Sequence, residues 1–124
     1  GRICVSGYYP WNFVSNLSKS TQIKTVLRWL SRDSLPSYVS SYHKANLWHR
    51  EIGGDAFALA VTNSSFDEAD KMEVMIRTDI GSVKVYDMEC GETIVPSSGK
   101  DGPYQKFVLP NLDPWKMVLI IGEG

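Results

Sequence analysis

The sequence predicts a mainly β fold: an antiparallel β-sandwich of about seven to eight strands, with one N-terminal strand and one amphipathic helix ahead of it. Three observations carry that expectation. The period of the apolar positions changes from 3.6 to 2 near Ser37. Beyond it, short runs of branched and aromatic residues are separated by Gly, Pro, Asn and Asp clusters. Those runs recur every ~8–12 residues, the spacing of sandwiches and partly closed barrels. A chain of 124 residues, 43% of them hydrophobic, is large enough to bury a core of its own.

Taken in order, Arg2 to Tyr9 reads as a buried strand, with Ile3-Cys4-Val5 as its apolar run and Gly7 loosening its end before Pro10. Ile23, Val26, Leu27 and Leu30 then recur at helical spacing. They predict one helix over Ser20 to Arg32, capped by Ser18 or Ser20, favoured at its end by Arg28 and Arg32, and stopped by Asp33-Ser34-Leu35-Pro36. The strands expected after it are Tyr38 to Tyr42, Ala45 to Ile52, Ala56 to Thr62, Met72 to Thr78, Val83 to Met88, Glu92 to Val95, Gln105 to Leu109 and Trp115 to Gly122. Gly53-Gly54-Asp55 marks a hairpin. In the third, Phe57, Leu59 and Val61 face one way and Ala56, Ala58 and Ala60 the other, which predicts a central strand with a covered second face. In the fourth, Met72, Val74 and Ile76 alternate with Glu73, Met75 and Arg77, predicting one wet face. The run Met117 to Ile121 is apolar on both faces and is expected centrally.

Charge and cysteine usage exclude several classes. Thirteen Lys and Arg against fourteen Asp and Glu leave a formal net charge of −1, so no global field favours nucleic acid or an anionic membrane. The run Met117 to Ile121 falls far short of the ~20 residues a membrane helix needs, and the chain reads as soluble. No basic and apolar leader opens the sequence, which leaves the compartment open. Cys4 and Cys90 make at most one disulfide and sit in no metal spacing; Cys4 is read as a core filler within its apolar run.

Chemistry-bearing patterns are sparse. Asp67-Glu68-Ala69-Asp70 is the densest acidic cluster and reads as a solvated turn. His43 and His49 fall on one strand face, but a metal would need a third, unidentified ligand. No nucleophile elbow, zincin, phosphate loop or dinucleotide pattern is present. No catalytic residue, metal or cofactor is therefore expected. Tyr8, Tyr9, Trp11 and Phe13 crowd one loop, and exposed rings there, or Trp48 on its strand, could stack on sugar faces. The substrate-binding candidates are Tyr8, Tyr9, Trp11 and Trp48. The competing reading is that the loop rings plug the gap between the strand–helix unit and the next layer. Asn16-Leu17-Ser18 and Asn63-Ser64-Ser65 match the N-glycosylation pattern.

Several short pieces recur in a recognisable order. The strand Leu47-Trp48-His49-Arg50 is followed by a Gly-Gly turn, then by a strand ending in Asn63-Ser64 and an amphipathic strand. The D-x-x-x-G segment Val85-Tyr86-Asp87-Met88-Glu89-Cys90-Gly91 comes next, and a closing strand follows Leu112-Asp113-Pro114-Trp115. This order resembles the C-terminal β-sandwich domain of multidomain glycoside hydrolases, most closely those of the family 42 β-galactosidase type. In those enzymes the preceding domain resembles a glutamine amidotransferase and ends in a Gly-rich strand, the place of Gly1 to Tyr8 in this sequence. Their catalytic carboxylates lie on a TIM barrel that this chain is too short to contain, so no family catalytic residue maps here.

The resemblance and the lopsided organisation imply the same arrangement. Positions 1–36 are expected to be the end of a preceding α/β domain and 37–124 the sandwich. The expected role is a non-catalytic accessory domain of a larger carbohydrate-active protein. Its partner is the remainder of that polypeptide, carbohydrate is a candidate ligand, and nucleic acid and membrane are not expected. The alternative is an autonomous sugar- or protein-binding module that uses exposed aromatics.

Overall fold

The computed structural model describes residues 1–7, 9 and 16–124, which divide into two units, Gly1–Leu35 and Pro36–Gly124. In the first unit, helix α1 spans Leu17–Ser31 and begins nearly one turn earlier than its apolar periodicity suggests. Asn16, extended at φ −97° and ψ 130°, is the cap: its Oδ1 accepts from the Lys19 amide at 3.3 Å, and Ser18 and Ser20 lie within the helix. Arg32 ends it in the left-handed region at φ 55°, and Arg28 Nε meets Asp33 Oδ1 at 2.8 Å. No residue of α1 is buried.

The expected N-terminal strand is not formed among the described residues: positions 1–7 carry no strand, and Ile3 and Val5 are exposed. Cys4 is exposed and free, not a core filler, and Cys90 is likewise exposed and unpaired. A strand needs a neighbour for its backbone groups, and local apolarity supplies none. Arg2 is tied to the helix: its guanidinium lies 5.0 Å from the Trp29 ring centroid and donates to the Trp29 carbonyl at 2.6 Å.

The second unit is a mainly β structure of nine strands in two antiparallel sheets. The strands are β1 (Ser37–Val39), β2 (Ala45–Gly53), β3 (Ala56–Asn63), β4 (Glu73–Arg77), β5 (Ser82–Asp87), β6 (Gly91–Pro96), β7 (Gly99–Asp101), β8 (Tyr104–Val108) and β9 (Met117–Gly122). The four-stranded sheet runs β1-β4-β8-β7 and the five-stranded sheet β2-β3-β9-β5-β6. Phe57, Leu59 and Val61 of β3, Val74 and Ile76 of β4, Val83 and Val85 of β5, Phe107 of β8, and Val118 and Ile120 of β9 form one shared core. Each such side chain stabilises the fold by about 1.5–3 kcal/mol relative to exposure.

Several details differ from the pattern-based reading. The short strand β7 was hidden because Gly-Lys-Asp is fully exposed and has no alternation; pairing with β8 creates it. Met75 is buried although it belongs to the face expected to be wet. Tyr38 of β1 and Tyr104 of β8 flank β4 and meet edge to face at 5.2 Å, so their rings close over it. β3 and β9 are central, but their second faces are not sealed: Ala58 and Ala60 are half-buried, and Met117 and Leu119 are exposed.

The registers Ala45↔Asn63, Thr62↔Met117, Glu73↔Val108 and Asp87↔Gly91 gather the β1–β2, β3–β4, β5–β6 and β8–β9 connections at one end of the sandwich.

Candidate functional site

At that end the organising residue is Asn63, 1% exposed at the close of β3. Its Nδ2 donates to the carbonyl oxygens of Asp67 at 2.8 Å, Leu112 at 3.0 Å and Asp113 at 3.3 Å. Its own amide donates to the Lys116 carbonyl at 3.0 Å, and its carbonyl accepts from the Trp115 amide at 2.8 Å. One buried carboxamide thus fastens the β3–β4 and β8–β9 loops together, helped by the paired bonds of 2.8 and 3.0 Å between Ala69 and Leu112. An accessible glycosylation acceptor it is not.

The two fastened loops present Phe66 and Trp115, whose rings meet at 5.8 Å with an interplanar angle of 77°. Phe66 is 86% exposed and Trp115 57%. Trp115 is held at φ 59°, a left-handed conformation that costs a bulky residue on the order of 1–2 kcal/mol. It belongs to the turn before β9, which corrects the strand from Trp115 to Gly122 that the apolar run predicts.

Lys116 braces the same end. Its Nζ lies 3.0 Å from Asp87 Oδ2 and 3.0 Å from Glu89 Oε2, and hydrogen bonding to these carboxylates, Asp87 foremost, holds its ammonium above its ordinary range. Asp87 Oδ1 accepts from the amides of Glu89 at 2.8 Å and Cys90 at 3.4 Å. The Glu89 amide first, then Lys116, and last the Cys90 amide keep its carboxyl below the usual value. Gly91 follows at φ 80°, paired with Asp87. The D-x-x-x-G segment is therefore a capped turn.

Trp48, 59% exposed, lies on the outer face of the five-stranded sheet. The registers Trp48↔Ala60, Ala60↔Leu119, Leu119↔Tyr86 and Tyr86↔Glu92 run as one row across all five strands. The adjacent row is Arg50, Ala58, Ile121, Lys84 and Ile94. Ala60 lies between Trp48 and Leu119 in the first row, and Arg50 and Lys84 place charges in the second. Lys84 is tied to Glu123 at 3.1 Å, and the Glu92 hydrogen bond raises the Tyr86 phenol.

Tyr9 is exposed in the first unit, while Tyr8, Trp11 and Phe13 lie outside the described residues. The remaining chemical candidates separate. His43 precedes β2 and pairs its Nδ1 with Ser41 Oγ at 2.7 Å, while that hydroxyl accepts from the Glu73 amide at 2.9 Å. This is a loop tie; among the described residues no third group orients the imidazole. His49 faces inward on β2 and stacks on Phe57 at 5.4 Å. The two histidines therefore do not share a strand face. Asp67, Glu68 and Asp70 are exposed on the β3–β4 loop. Among the described residues no group of three His, Cys, Asp or Glu side chains could hold a metal ion, and no helix is long and apolar enough to cross a membrane.

Phe66 was missed because it stands beside the acidic cluster, and Trp115 because it abuts an apolar run. The signal that separates Trp115 from that run is Asp113-Pro114, which starts a turn. No family model, curated protein or solved structure matches the chain.

Proposed function

We propose that this chain is a non-catalytic accessory domain of a larger carbohydrate-active protein of the glycoside hydrolase kind, held against the remainder of that polypeptide. The observation that carries the reading is the outer face of the five-stranded sheet. Trp48, Met117 and Leu119 are exposed there around Ala58 and Ala60, with Arg50 and Lys84 at the margins, and an exposed apolar strip with a charged rim is of the sort that marks an interface. The unburied apolar stripe of α1 supports the same reading, since a helix of this pattern ordinarily covers a core. The order of the sequence motifs supplies the enzyme class.

Removing positions 36–124 from the complete protein is expected to lower its melting temperature and shorten the half-life of its glycosidase activity, with the catalytic pH optimum unchanged. An unchanged melting temperature and half-life would refute the accessory role.

A second reading is favoured by the Phe66–Trp115 corner: a carbohydrate-binding module working from its loop end. The two are compatible, because the sheet face and the loop end are separate surfaces of the sandwich.

A further inference from the structure

We propose that the corner formed by Phe66 and Trp115 is a binding site for a neutral oligosaccharide; the ligand class rests on the carbohydrate-active reading above, the site on the geometry. A pyranose presents an apolar C–H face and a rim of hydroxyls that both donate and accept. It therefore needs an exposed, fixed aromatic surface with donors and acceptors of both kinds around it.

The loop end supplies each of these. Two rings meet at 5.8 Å and 77° while remaining 86% and 57% exposed. Neither ring belongs to the core, yet both are positioned by it. The Asn63 side-chain amide holds the carbonyls of Asp67, next to Phe66, and of Asp113, two residues before Trp115, at 2.8 and 3.3 Å. The chain keeps an exposed tryptophan at φ 59°, where a glycine would be unstrained. A merely structural turn has no use for that ring.

The polar surroundings select the charge of the ligand. Asp67, Glu68, Asp70 and Asp113 are exposed acceptors and Lys44 and Lys71 exposed donors on the loops of this end, and none has an ion-pair partner among the described residues. The Ser64 amide bonds the Lys44 carbonyl at 2.9 Å, which keeps the β1–β2 loop at this end. Lys116, the other cation nearby, is consumed by Asp87 and Glu89. A site for an anion would free that lysine, and a site for a cation would exclude Lys44 and Lys71. A mixed rim suits an uncharged polyol.

The test is an NMR titration of the 124-residue chain with cellohexaose, xylohexaose and galactotetraose, following the indole Nε1–H resonance that disappears in Trp115→Gly. At least one sugar is expected to shift that resonance saturably, with a Kd that changes less than about twofold between ~50 and ~500 mM NaCl. Trp115→Gly and Phe66→Ala are each expected to raise the Kd at least about tenfold. Both should stay within a few degrees of the wild-type melting temperature. If Trp115→Gly fails to fold, the exposed Phe66 variant carries the test. A Trp115 resonance that no sugar moves, or binding that shifts only Trp48, would overturn the site. So would salt-sensitive binding of N-acetyl-arginine amide in place of sugar. If no sugar binds while the complete protein hydrolyses glycosides, the site fails and the accessory role stands.

Discussion

The carbonyl of Asn63 accepts the Trp115 amide at 2.8 Å, and through that bond a fully buried residue fixes the left-handed backbone of an exposed tryptophan. Asn63→Ala would strand the carbonyls of Asp67, Leu112 and Asp113 and is expected to cost about 2–4 kcal/mol, read as a lower urea midpoint with an unchanged slope. Asn63→Asp should be worse at neutral pH, because a carboxylate would face carbonyl oxygens, and should recover as acidification turns it into a donor. Equal stability of wild type and both variants would show that the knot contributes nothing.

Gly122 pairs with Phe57 across β3 and β9, and a Cβ at this position would collide with the buried Phe57 ring. Gly122→Ala should therefore destabilise by about 1–3 kcal/mol, an overpacking cost. Adding Phe57→Leu should recover part of that loss in a double-mutant cycle, whereas simple additivity would mean that the two residues do not conflict.

His49 stacks on Phe57 with its Nδ1 buried and without a partner. Burial lowers its pKa from the ordinary 6.5, and Glu51 opposes that only in part. The unfolded chain thus takes up this proton before the folded one does. The His49 contribution is complete above pH 6.5 and declines as the pH falls through 6.5 toward the lower folded value. His49→Gln should flatten the melting temperature over that interval; an equally steep profile in the variant would remove His49 as the cause.

Asp87 both caps the β5–β6 turn and binds Lys116. Its lowered carboxyl pKa means that the stabilisation is present above the unfolded value of 3.8 and is lost as the pH drops through the folded value. Asp87→Asn keeps an acceptor for the Glu89 amide but loses the charge, so it should be milder than Asp87→Ala. Thermal melts near neutral pH decide the order; an equal loss in both variants would mean that the cap is immaterial.

Alternation made β3 and β4 legible in the sequence, because Phe57, Leu59, Val61, Val74 and Ile76 do face a single core. It failed where pairing or turn chemistry decides. Ile3-Cys4-Val5 reads as a strand but has no partner strand among the described residues, and β7 has a partner but no pattern. Met75 looked solvent-facing because the ring contact of Tyr38 and Tyr104 joins residues far apart in the chain. The loop end was the least legible part. Asn63 reads locally as a glycosylation acceptor, and only long-range hydrogen bonds to Leu112 and Asp113 show it to be a buried clamp. Trp48 was found as an exposed ring, but its row with Leu119 and Tyr86 depends on strand order, which no local pattern encodes.

The most direct test of the accessory role is a turnover assay on aryl β-glycosides, run side by side on the 124-residue chain and on the protein encoded by its complete reading frame. Hydrolysis by the complete protein and none by the chain alone is the expected result. Turnover by the isolated chain, or a complete protein with no action on glycosides, would contradict it.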